Sequence, residues 1–529
     1  MSHVAQGQLP EVSNEVIPLT KKHAAAAAVM SGLLYWLAFP GQVESWPLPL
    51  LTFVAFVPLF VALQGQAPKR ALYIGVLTGV TSSLAGFYWL VTMLRTFSGF
   101  PTALCIVLFV VLCIYQGGRL GLVGWLYARA SNRGWPAAPV FVAAFAASEF
   151  IYPLLFPWYY GATVHKLPIL TQTAEIAGPI FVGVILLGVN LAIAEPLLAR
   201  IRRRAVDRRI VIAGVGGLLF AILYGAVRIP MVDARALASE PLKVGIVQGN
   251  IGLMAKRSDL TEGIRRHQKL TAELQETGAE LVVWSETSVR FPVNEKMAAA
   301  FMRDIVASRP AVPTIFGAVL WRDTPGDRRR WFNVALSTDA QGKITGRYDK
   351  EFLLVFGEYL PFGETFPILY DWSPNSGKFS PGTQLDPLVV TTADGKTHKV
   401  TALICYEDII PSFTNKAVRY ADPELLVTIT NEAWFGDSSE PWEHLALAEF
   451  RAIEHRRYFI RSANSGISAV VDPVGRVIAQ SGTFRAERLD ATVHWMHGTT
   501  PYEIIGDTPW YLTTLTIFVA AFRRRKPED

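Results

Sequence analysis

Three residues that can carry out nucleophilic chemistry stand at the ends of predicted strands. Glu286 follows the run LVVWS, Lys350 follows GRYD and Cys405 follows TALI. A cysteine attacks as its thiolate, so it needs a base to take its proton and a cation to hold the negative charge that then develops. A glutamate, a lysine and a cysteine supply these roles, and together they predict one catalytic site.

The cysteine content of the chain favours Cys405 as the nucleophile. There are only three cysteines, which give no disulfide framework, and Cys105 and Cys113 lie inside an apolar run, where a thiol behaves as a small hydrophobic group. Cys405 is the only cysteine in the part of the chain with a soluble composition. The alternatives are a buried structural thiol for Cys405 and an ordinary surface ion pair for Glu286 and Lys350.

Residues from Leu242 onward have the pattern of an α/β domain. Short apolar runs ended by polar residues predict strands; they are LKVGIVQGN, LVVWSET, TIFGAVL, NVALSTD, VTALICYED, LLVTITNEAWFG and ISAVVDPVG. Helices are predicted at about 258–278, 294–308 and 441–455. Strands buried on both faces, with helices between some of them, indicate a layered α/β domain, whose sites lie where strands end.

Most of the remaining sequence is predicted to cross a membrane. Of the 529 residues, 51% are hydrophobic and only 18% are charged, and about 20 apolar residues span a bilayer. Spans are predicted at about 24–39, 47–64, 71–93, 101–128, 137–157, 173–198, 209–229 and 508–522. Seven spans therefore precede the α/β domain and one follows it.

Basic residues orient these spans, because cytoplasmic loops are rich in lysine and arginine. Basic residues occur at 21–22, 69–70, 129–133, 200–209 and 523–526, which all fall on one side when seven spans precede the domain. Arg95 and Lys166 are the main exceptions on the other side. Both termini are therefore predicted to be cytoplasmic, and residues 230–507 to lie on the opposite face.

Composition and motifs argue against nucleic-acid, metal and nucleotide binding. The net charge is +6, but the basic clusters flank apolar segments, as membrane topology requires. His444 and His455 are too far apart for adjacent helical turns, and neither HExxH nor CxxC occurs, so no metal site is predicted. The run VGIVQGN matches neither GxGxxG nor GxxxxGK, so no nucleotide cofactor is predicted.

Three motifs in order, WSET, YDKEFLLVFGEYLP and LICYED, resemble the Glu-Lys-Cys signature of the nitrilase superfamily. With VQGNI, NEAWFG, RSANSGISAVVDPVGRV and the predicted spans, nearly the whole chain is similar to apolipoprotein N-acyltransferases. The resemblance implies a polytopic α-helical membrane domain of about eight spans and an α/β nitrilase-like α-β-β-α sandwich domain. The implied domains are residues 1–230, with about seven transmembrane helices, an extracytoplasmic catalytic domain at 231–507, and a transmembrane helix with a basic cytoplasmic tail at 508–529.

The resemblance also implies roles for individual residues. Glu286 would be the general base, Cys405 the nucleophile that forms a thioester, and Lys350 a donor to the tetrahedral oxyanion. Glu358, in FGEY, matches a second family glutamate that orients Lys350 and assists proton handling. Glu407, two residues after the nucleophile, is expected to support the site.

Aromatic residues near the nucleophile are implied to complete the site. A backbone amide near Tyr406 would aid Lys350 at the oxyanion. Trp434 and Phe435, in NEAWFG, resemble a mobile loop that covers the site and packs against an acyl chain, although an aromatic pair is often simply part of a core.

The sequence departs from the family pattern at three positions. Arg257 stands where many members have a tryptophan, and Phe352 and Val355 replace the His and Pro that often precede the FGE motif. These departures affect the expected lid contacts and substrate preference and leave the Glu, Lys and Cys motif residues in place.

The implied function is acyl transfer without a cofactor or a metal. A fatty acyl chain of a phospholipid, by the resemblance phosphatidylethanolamine, would move through a cysteine thioester to the α-amino group of the diacylglyceryl-cysteine of an apolipoprotein. The implied partners are the phospholipid donor, the diacylated apolipoprotein acceptor and membrane lipids. No nucleic-acid partner is expected, and the protein is expected to be a monomer. The implied location is the bacterial inner membrane, with the catalytic domain on the periplasmic face.

Two other classes of function remain open from the sequence. A membrane-tethered amidase or nitrilase would use the same three residues and would admit water to the thioester. A transporter with an extracytoplasmic binding domain would carry charged residues within its spans. Few occur between 71 and 198, and several lie near span ends; they include Arg95, Arg119, Glu149, Lys166 and Glu175.

Overall fold

The computed structural model describes residues 17–41, 48–252, 257–300, 303, 312–324, 328–373 and 376–525. Its helices, labelled α1 to α16 in chain order, are Lys21–Ala38, Val57–Leu63, Pro68–Gly86, Leu90–Ser98, Thr102–Ser131, Ala137–Ile151, Pro168–Thr171, Ala174–Ile201, Arg208–Leu237, Arg257–Glu276, Ile368–Trp372, Pro411–Ala421, Glu440–Ala448, Phe450–His455, Pro501–Ile505 and Thr508–Phe522. Its strands, β1 to β13, are Pro241–Gln248, Leu281–Trp284, Val289–Asn294, Thr314–Thr324, Arg328–Thr338, Ile344–Asp349, Leu388–Thr391, Thr397–Ile404, Leu425–Thr430, Phe459–Ala463, Ala469–Val471, Val477–Gln480 and Glu487–His494.

The eight predicted spans all fall on helical segments, which differ in length. Among the described residues, three helices are long and apolar enough to cross a membrane: α5, α8 and α9. A fourth span results if α3 and α4, which meet at a bend of 63°, are counted as one broken span. The segments at 47–64, 137–157 and 508–522 contain shorter apolar helices, so the number of eight spans stays a prediction.

Glycines allow α3 and α5 to pack closely. A Cβ atom on Gly79 would lie 2.4 Å from the carbonyl oxygen of Gly117, and one on Gly117 would lie 2.5 Å from the backbone nitrogen of Val80. Small residues at a helix interface let two backbones approach, which is a common way for helices to associate in lipid. These two glycines therefore allow α3 and α5 to pack closely.

The α/β part contains two mixed sheets. The first has the order β13-β1-β2-β4-β5-β6, with β3 paired to β4, and the second has the order β12-β11-β10-β9-β8-β7. Strands β1, β2 and β4 are parallel, as are β8, β9 and β10. Residues of both sheets, including Ile246 and Leu426, belong to one buried core. The predicted α/β domain is confirmed.

The three helices predicted in this part have different outcomes. The helix predicted at 258–278 is α10, Arg257–Glu276, and the one predicted at 441–455 is divided into α13 and α14. Of the helix predicted at 294–308, Glu295–Met297 form a 3₁₀ helix and residues 298–300 and 303 are helical, while residues 301–302 and 304–308 lie outside the described residues.

The α/β part contacts the apolar helices directly. Trp158 Nε1 donates a hydrogen bond to Glu443 Oε2 at 3.0 Å, and His165 Nδ1 lies 3.0 Å from Glu449 Oε2. Phe450, from α14, belongs to the same buried cluster as many residues of the first helices. Only residues 238–240 separate the end of α9 from the start of β1, so the first strand is joined to a long apolar helix by a very short connection.

Candidate active site

Cys405 occupies a sharp turn directly after β8. It begins a short 3₁₀ helix, Cys405–Ile409, and its φ of +53° lies in the left-handed region that side chains other than glycine rarely adopt. Such conformations cost about 1–3 kcal/mol and cluster at active sites. The thiol is buried, and burial raises its pKa to about 12, with the charge of Glu286 adding to the increase and that of Lys350 opposing it. The Cys405 thiol is therefore neutral at rest and would need a base in order to act as a nucleophile.

Glu286 lies two residues after the end of β2. Gly317, on β4, makes room for this turn, because a Cβ atom there would lie 2.7 Å from the Cα of Glu286. The Glu286 carboxylate accepts a hydrogen bond of 2.6 Å from Asn333 Nδ2. Burial raises its pKa, an effect that the charge of Lys350 and this hydrogen bond oppose. A buried carboxylate with a raised pKa is suited to general-base chemistry near neutral pH.

Lys350 stands between two carboxylates. Its Nζ lies 2.7 Å from Glu358 Oε2 and 3.9 Å from Glu286 Oε1, and its side chain is 1% exposed. Burial alone would lower the pKa of Lys350, but Glu358 and Glu286 raise it more, so the net pKa is above its ordinary value. Lys350 is therefore a fixed positive charge, as stabilisation of an oxyanion requires.

Asn333, which the sequence analysis did not single out, joins the two carboxylates. Its Nδ2 donates to Glu286 Oε1 at 2.6 Å and to Glu358 Oε1 at 2.9 Å, and its Oδ1 is buried with no hydrogen-bond partner among the described residues. Its carbonyl oxygen also accepts from the backbone nitrogen of Lys350 at 2.9 Å. An amide in the middle of the strand WFNVALST was the only available signal.

Replacement of Asn333 by alanine should slow acyl-enzyme formation about 10- to 100-fold, since small misplacements of catalytic groups have effects of this size. Loss of the donated hydrogen bond should also raise the pKa of Glu286 further and shift the acid side of the rate profile to higher pH. Single-turnover rates measured against pH test both effects. Arg330→Gln, at an exposed position of the same strand, is the control; a rate loss without a pH shift would indicate a purely structural role.

Glu407 connects the turn after β6 to the turn Cys405–Ile409, which we call the nucleophile turn after the role expected for Cys405. Its Oε1 accepts hydrogen bonds from Tyr348 Oη at 2.7 Å and from the backbone nitrogens of Glu351 and Phe352, both at 2.9 Å. Its Oε2 accepts from the backbone nitrogen of Ile404 at 2.8 Å. One buried side chain thus holds the residues after Lys350 and the residue before Cys405, which fits the support role expected for it.

The aromatic residues face the apolar helices. Tyr406 Oη donates to the carbonyl oxygen of Leu155 at 2.7 Å. Phe435 is buried, and its ring centroid lies 5.1 Å from that of Trp89 in an edge-to-face contact. Trp434 is partly buried and packs against the large apolar cluster of the helical part. The structure brings these residues to the junction of the two parts, and the lid role of Trp434 and Phe435 stays a prediction.

The three departures from the family pattern have separate positions. The side chain of Arg257, the first residue of α10, lies outside what the structure describes. The ring of Phe352 stacks on that of Tyr406, with centroids 5.9 Å apart. Val355 forms an isolated backbone bridge with Tyr359. Phe352 therefore extends the aromatic surface beside the nucleophile turn.

A buried ionic network behind Cys405 was also not anticipated. His444 Nε2 lies 2.7 Å from Asp408 Oδ1, and its Nδ1 lies 3.2 Å from Glu432 Oε1. Arg461 bonds Asp408 at 2.5 Å and also bonds Glu432. Asp408 belongs to the turn of Cys405, and Glu432 belongs to the turn of Trp434 and Phe435. The network therefore links the nucleophile turn to the expected lid turn.

The same network contains a group with the spacing of metal ligands. One ligand atom each from Glu432, Glu440 and His444 lies within 4.8 Å of the others. Burial and the charge of Arg461 lower the pKa of His444, but Asp408 and Glu432 raise it more, so the net pKa is well above its usual value and the protonated imidazole is favoured. Together with Arg461 it supplies positive partners for the carboxylates, which favours an ionic network over a metal centre.

Comparison with known proteins agrees with this architecture. Residues 243–495 match the carbon-nitrogen hydrolase family, so the α/β part is a nitrilase-like domain of that class. Residues 31–192 match the N-terminal domain of apolipoprotein N-acyltransferases. The chain belongs to the apolipoprotein N-acyltransferase family, and its apolar helices are those of a membrane protein.

The family assignment rests on relatives that match along nearly the full length. The apolipoprotein N-acyltransferase of Geobacter metallireducens is 30% identical over 515 residues, covering 94% of this chain and 95% of that protein. The apolipoprotein N-acyltransferase of Vibrio cholerae is 29% identical, covering 94% of this chain and 97% of that protein.

Among solved structures, Saccharomyces cerevisiae Nit3, a member of branch 10 of the nitrilase superfamily, is 18% identical, with a TM-score of 0.36 and coverage of 48% of this chain and 90% of that chain.

Proposed function

We propose that the protein is an apolipoprotein N-acyltransferase that uses Cys405 as nucleophile, Glu286 as general base and Lys350 as oxyanion donor. It transfers a fatty acyl chain from a phospholipid to the α-amino group of the diacylglyceryl-cysteine of an apolipoprotein. The observation that carries this proposal is Lys350 held between Glu286 and Glu358 beside the Cys405 turn, in a domain that rests on apolar helices.

The first step forms the acyl-enzyme. Glu286 takes the proton of the Cys405 thiol, and Sγ attacks the ester carbonyl carbon of the phospholipid, which forms a C–S bond. Lys350 and a backbone amide near Tyr406 stabilise the negative oxygen of the tetrahedral intermediate. The C–O bond then breaks, and Glu286 returns the proton to the glycerol oxygen, so that a lysophospholipid leaves. Glu358 and Asn333 hold Lys350 and Glu286 in place.

The second step transfers the chain to the acceptor. The α-amino group of the diacylglyceryl-cysteine attacks the thioester carbon, a C–N bond forms and the C–S bond breaks. Glu286 takes the proton that the nitrogen loses and passes it to Sγ, which restores the thiol. Neither step needs a metal or a cofactor.

The apolar helices have a physical role in this scheme. Both substrates carry acyl chains, and moving a chain into water costs about 0.8 kcal/mol for each CH₂ group. The contacts of Tyr406 with Leu155 and of Phe435 with Trp89 place the nucleophile turn against the helices. We propose that Trp434 and Phe435 cover the chain there and keep water from the thioester.

The arrangement in the membrane follows from the basic clusters. We propose residues 1–230 as a membrane domain of seven spans, 231–507 as a periplasmic catalytic domain, and 508–529 as the eighth span with a cytoplasmic tail. Both termini are then cytoplasmic in the bacterial inner membrane. No step of this mechanism uses a residue from a second copy of the chain, so we propose a monomer.

A two-substrate assay tests this function. The purified protein is supplied with phosphatidylethanolamine and a synthetic diacylglyceryl-cysteine peptide, and mass spectrometry follows both. We expect one lysophospholipid for each N-acylated peptide, with little free fatty acid. Free fatty acid in place of acylated peptide, or turnover of small amides instead of lipid, would favour the amidase alternative. The absence of both acyl transfer and hydrolysis in well-folded protein would favour the transporter alternative.

A further inference from the structure

A large cavity lies between the helices and the α/β part, away from the proposed nucleophile. Its volume is about 720 Å³, and Glu286, Lys350 and Cys405 do not line it. Its walls come from the end of α1, from the segment before α7, and from α13 and the turn before β12, and include Leu37, Phe39, Lys166, Trp442, Leu445 and Arg476. The cavity thus combines apolar side chains with Lys166, Arg476 and the ion pair of His165 with Glu449, at the level where α1 ends.

A shallow apolar groove, open on its outer side and formed by side chains of α1 alone, meets this cavity at Leu37. The groove has a volume of about 620 Å³ and shares Leu37 with the cavity. It is lined by Ala25, Ala26, Val29, Met30, Leu33, Leu34 and Leu37. These residues recur at helical spacing on one face of α1 and extend over about 18 Å, more than half of the ~30 Å hydrocarbon core of a bilayer. The groove therefore has the length and chemistry to hold an acyl chain.

Lys166 supplies a positive charge at the other end of this path. It is exposed, and within the described part of the chain it has no hydrogen-bond or ion-pair partner. The neighbouring charges are already paired: His165 with Glu449, and Arg476 with Asp472. Lys166 is also one of the two main basic exceptions on the side of the membrane that is poor in positive charge. An anionic group that enters the cavity therefore meets an unpaired cation.

We propose that the cavity and the α1 groove bind one phospholipid, with its phosphate beside Lys166 and one acyl chain along α1, at a site separate from Cys405. A phospholipid is the occupant that matches all three features, because it joins a phosphate to a long apolar chain and is present wherever α1 meets the bilayer. This bound lipid fills the space between α1 and α13 and so links the membrane helices to the catalytic domain.

Photolabelling tests the site. The full chain carrying Cys405→Ala, which cannot consume the probe, is placed in lipid nanodiscs containing phosphatidylethanolamine with a diazirine in the acyl chain. Labelled positions are mapped by fragmentation mass spectrometry, with and without Lys166→Gln. Lys22→Gln changes an exposed lysine at the N-terminal end of α1, away from the cavity, and is the matched control. We expect label on residues 25–37 to fall about fivefold with Lys166→Gln and to stay unchanged with Lys22→Gln.

Each outcome decides the proposal. Equal labelling of α1 with and without Lys166→Gln would mean that the groove meets only bulk lipid, and would overturn it. Label confined to residues around position 405 would also overturn it, because the probe would then occupy only the proposed donor site. Since the readout is labelling of an unreactive variant, it does not depend on acyl transfer, and failure of one proposal leaves the other standing.

Discussion

Cys405→Ala should abolish acyl-enzyme formation without unfolding the protein. Incubation of the unsubstituted protein with phosphatidylethanolamine and no acceptor should add the mass of one acyl chain, which neutral hydroxylamine releases. The variant should show no added mass, because the attacking sulfur is gone. Alanine at this position meets the same positive φ as cysteine, so the substitution adds no backbone strain, and the thermal unfolding midpoint in detergent should change little.

Two other thiols provide controls for this experiment. Cys105 and Cys113 are also buried, but both lie on α5 among apolar residues. Cys105→Ala and Cys113→Ala should both retain the hydroxylamine-sensitive adduct. An adduct that persists in Cys405→Ala, or disappears in Cys113→Ala with the fold intact, would show that Cys405 is not the nucleophile.

Glu286→Gln should lower the rate of acyl-enzyme formation by about 10²- to 10⁴-fold, the usual contribution of a general base. The thiol of Cys405, with a pKa raised to about 12, is neutral at pH 7 and depends on this carboxylate to accept its proton. The glutamine keeps the shape and can still accept the hydrogen bond of Asn333. Single-turnover rates with phosphatidylethanolamine measure the effect, and Glu276→Gln, exposed at the end of α10, should have none.

The pH dependence distinguishes this role from a structural one. Because burial raises the pKa of Glu286, the rate of the unsubstituted protein should fall on the acid side at a pH above the ordinary range for a carboxyl group. Protonation of Glu286 removes the base, so the rate decreases as pH falls through that pKa. Glu286→Gln should lack this acid limb. A variant that keeps it would assign the base to another group, with Glu358 the first candidate.

The sequence was sufficient to place the proposed reactive residues where strands end. Glu286, Lys350 and Cys405 each stand beyond a recognisable strand or strand end, and parallel strands in a layered domain bring such ends to one side. Asn333 could not be found in this way, because it lies within a strand and its partners come from two different turns. The neighbours of a polar residue within a strand depend on the register of that strand. A hydrophobic pattern does not show which side chains such a residue will meet.

Sequence patterns were also weak where charges and helices are buried. The partners of His444 are Asp408 and Glu432 from two distant turns, which the helical pattern around His444 could not indicate. The prediction of a span at 209–229 ended before Pro230, whereas α9 continues through this proline to Leu237. The bend of 63° between α3 and α4 was likewise not visible in an apolar run that hydropathy treats as continuous.

The short connection between α9 and β1 determines how the protein meets its substrates. Three residues join the last turn of α9 to the first strand, and α15 and α16 follow soon after β13, so the catalytic domain is anchored on both sides. Adding one residue to α9 would raise the domain by 1.5 Å and turn it by about 100°. In the proposed arrangement the nucleophile therefore works at one fixed depth, its substrates reach it by diffusion in two dimensions, and its rate depends on their number per unit area of membrane.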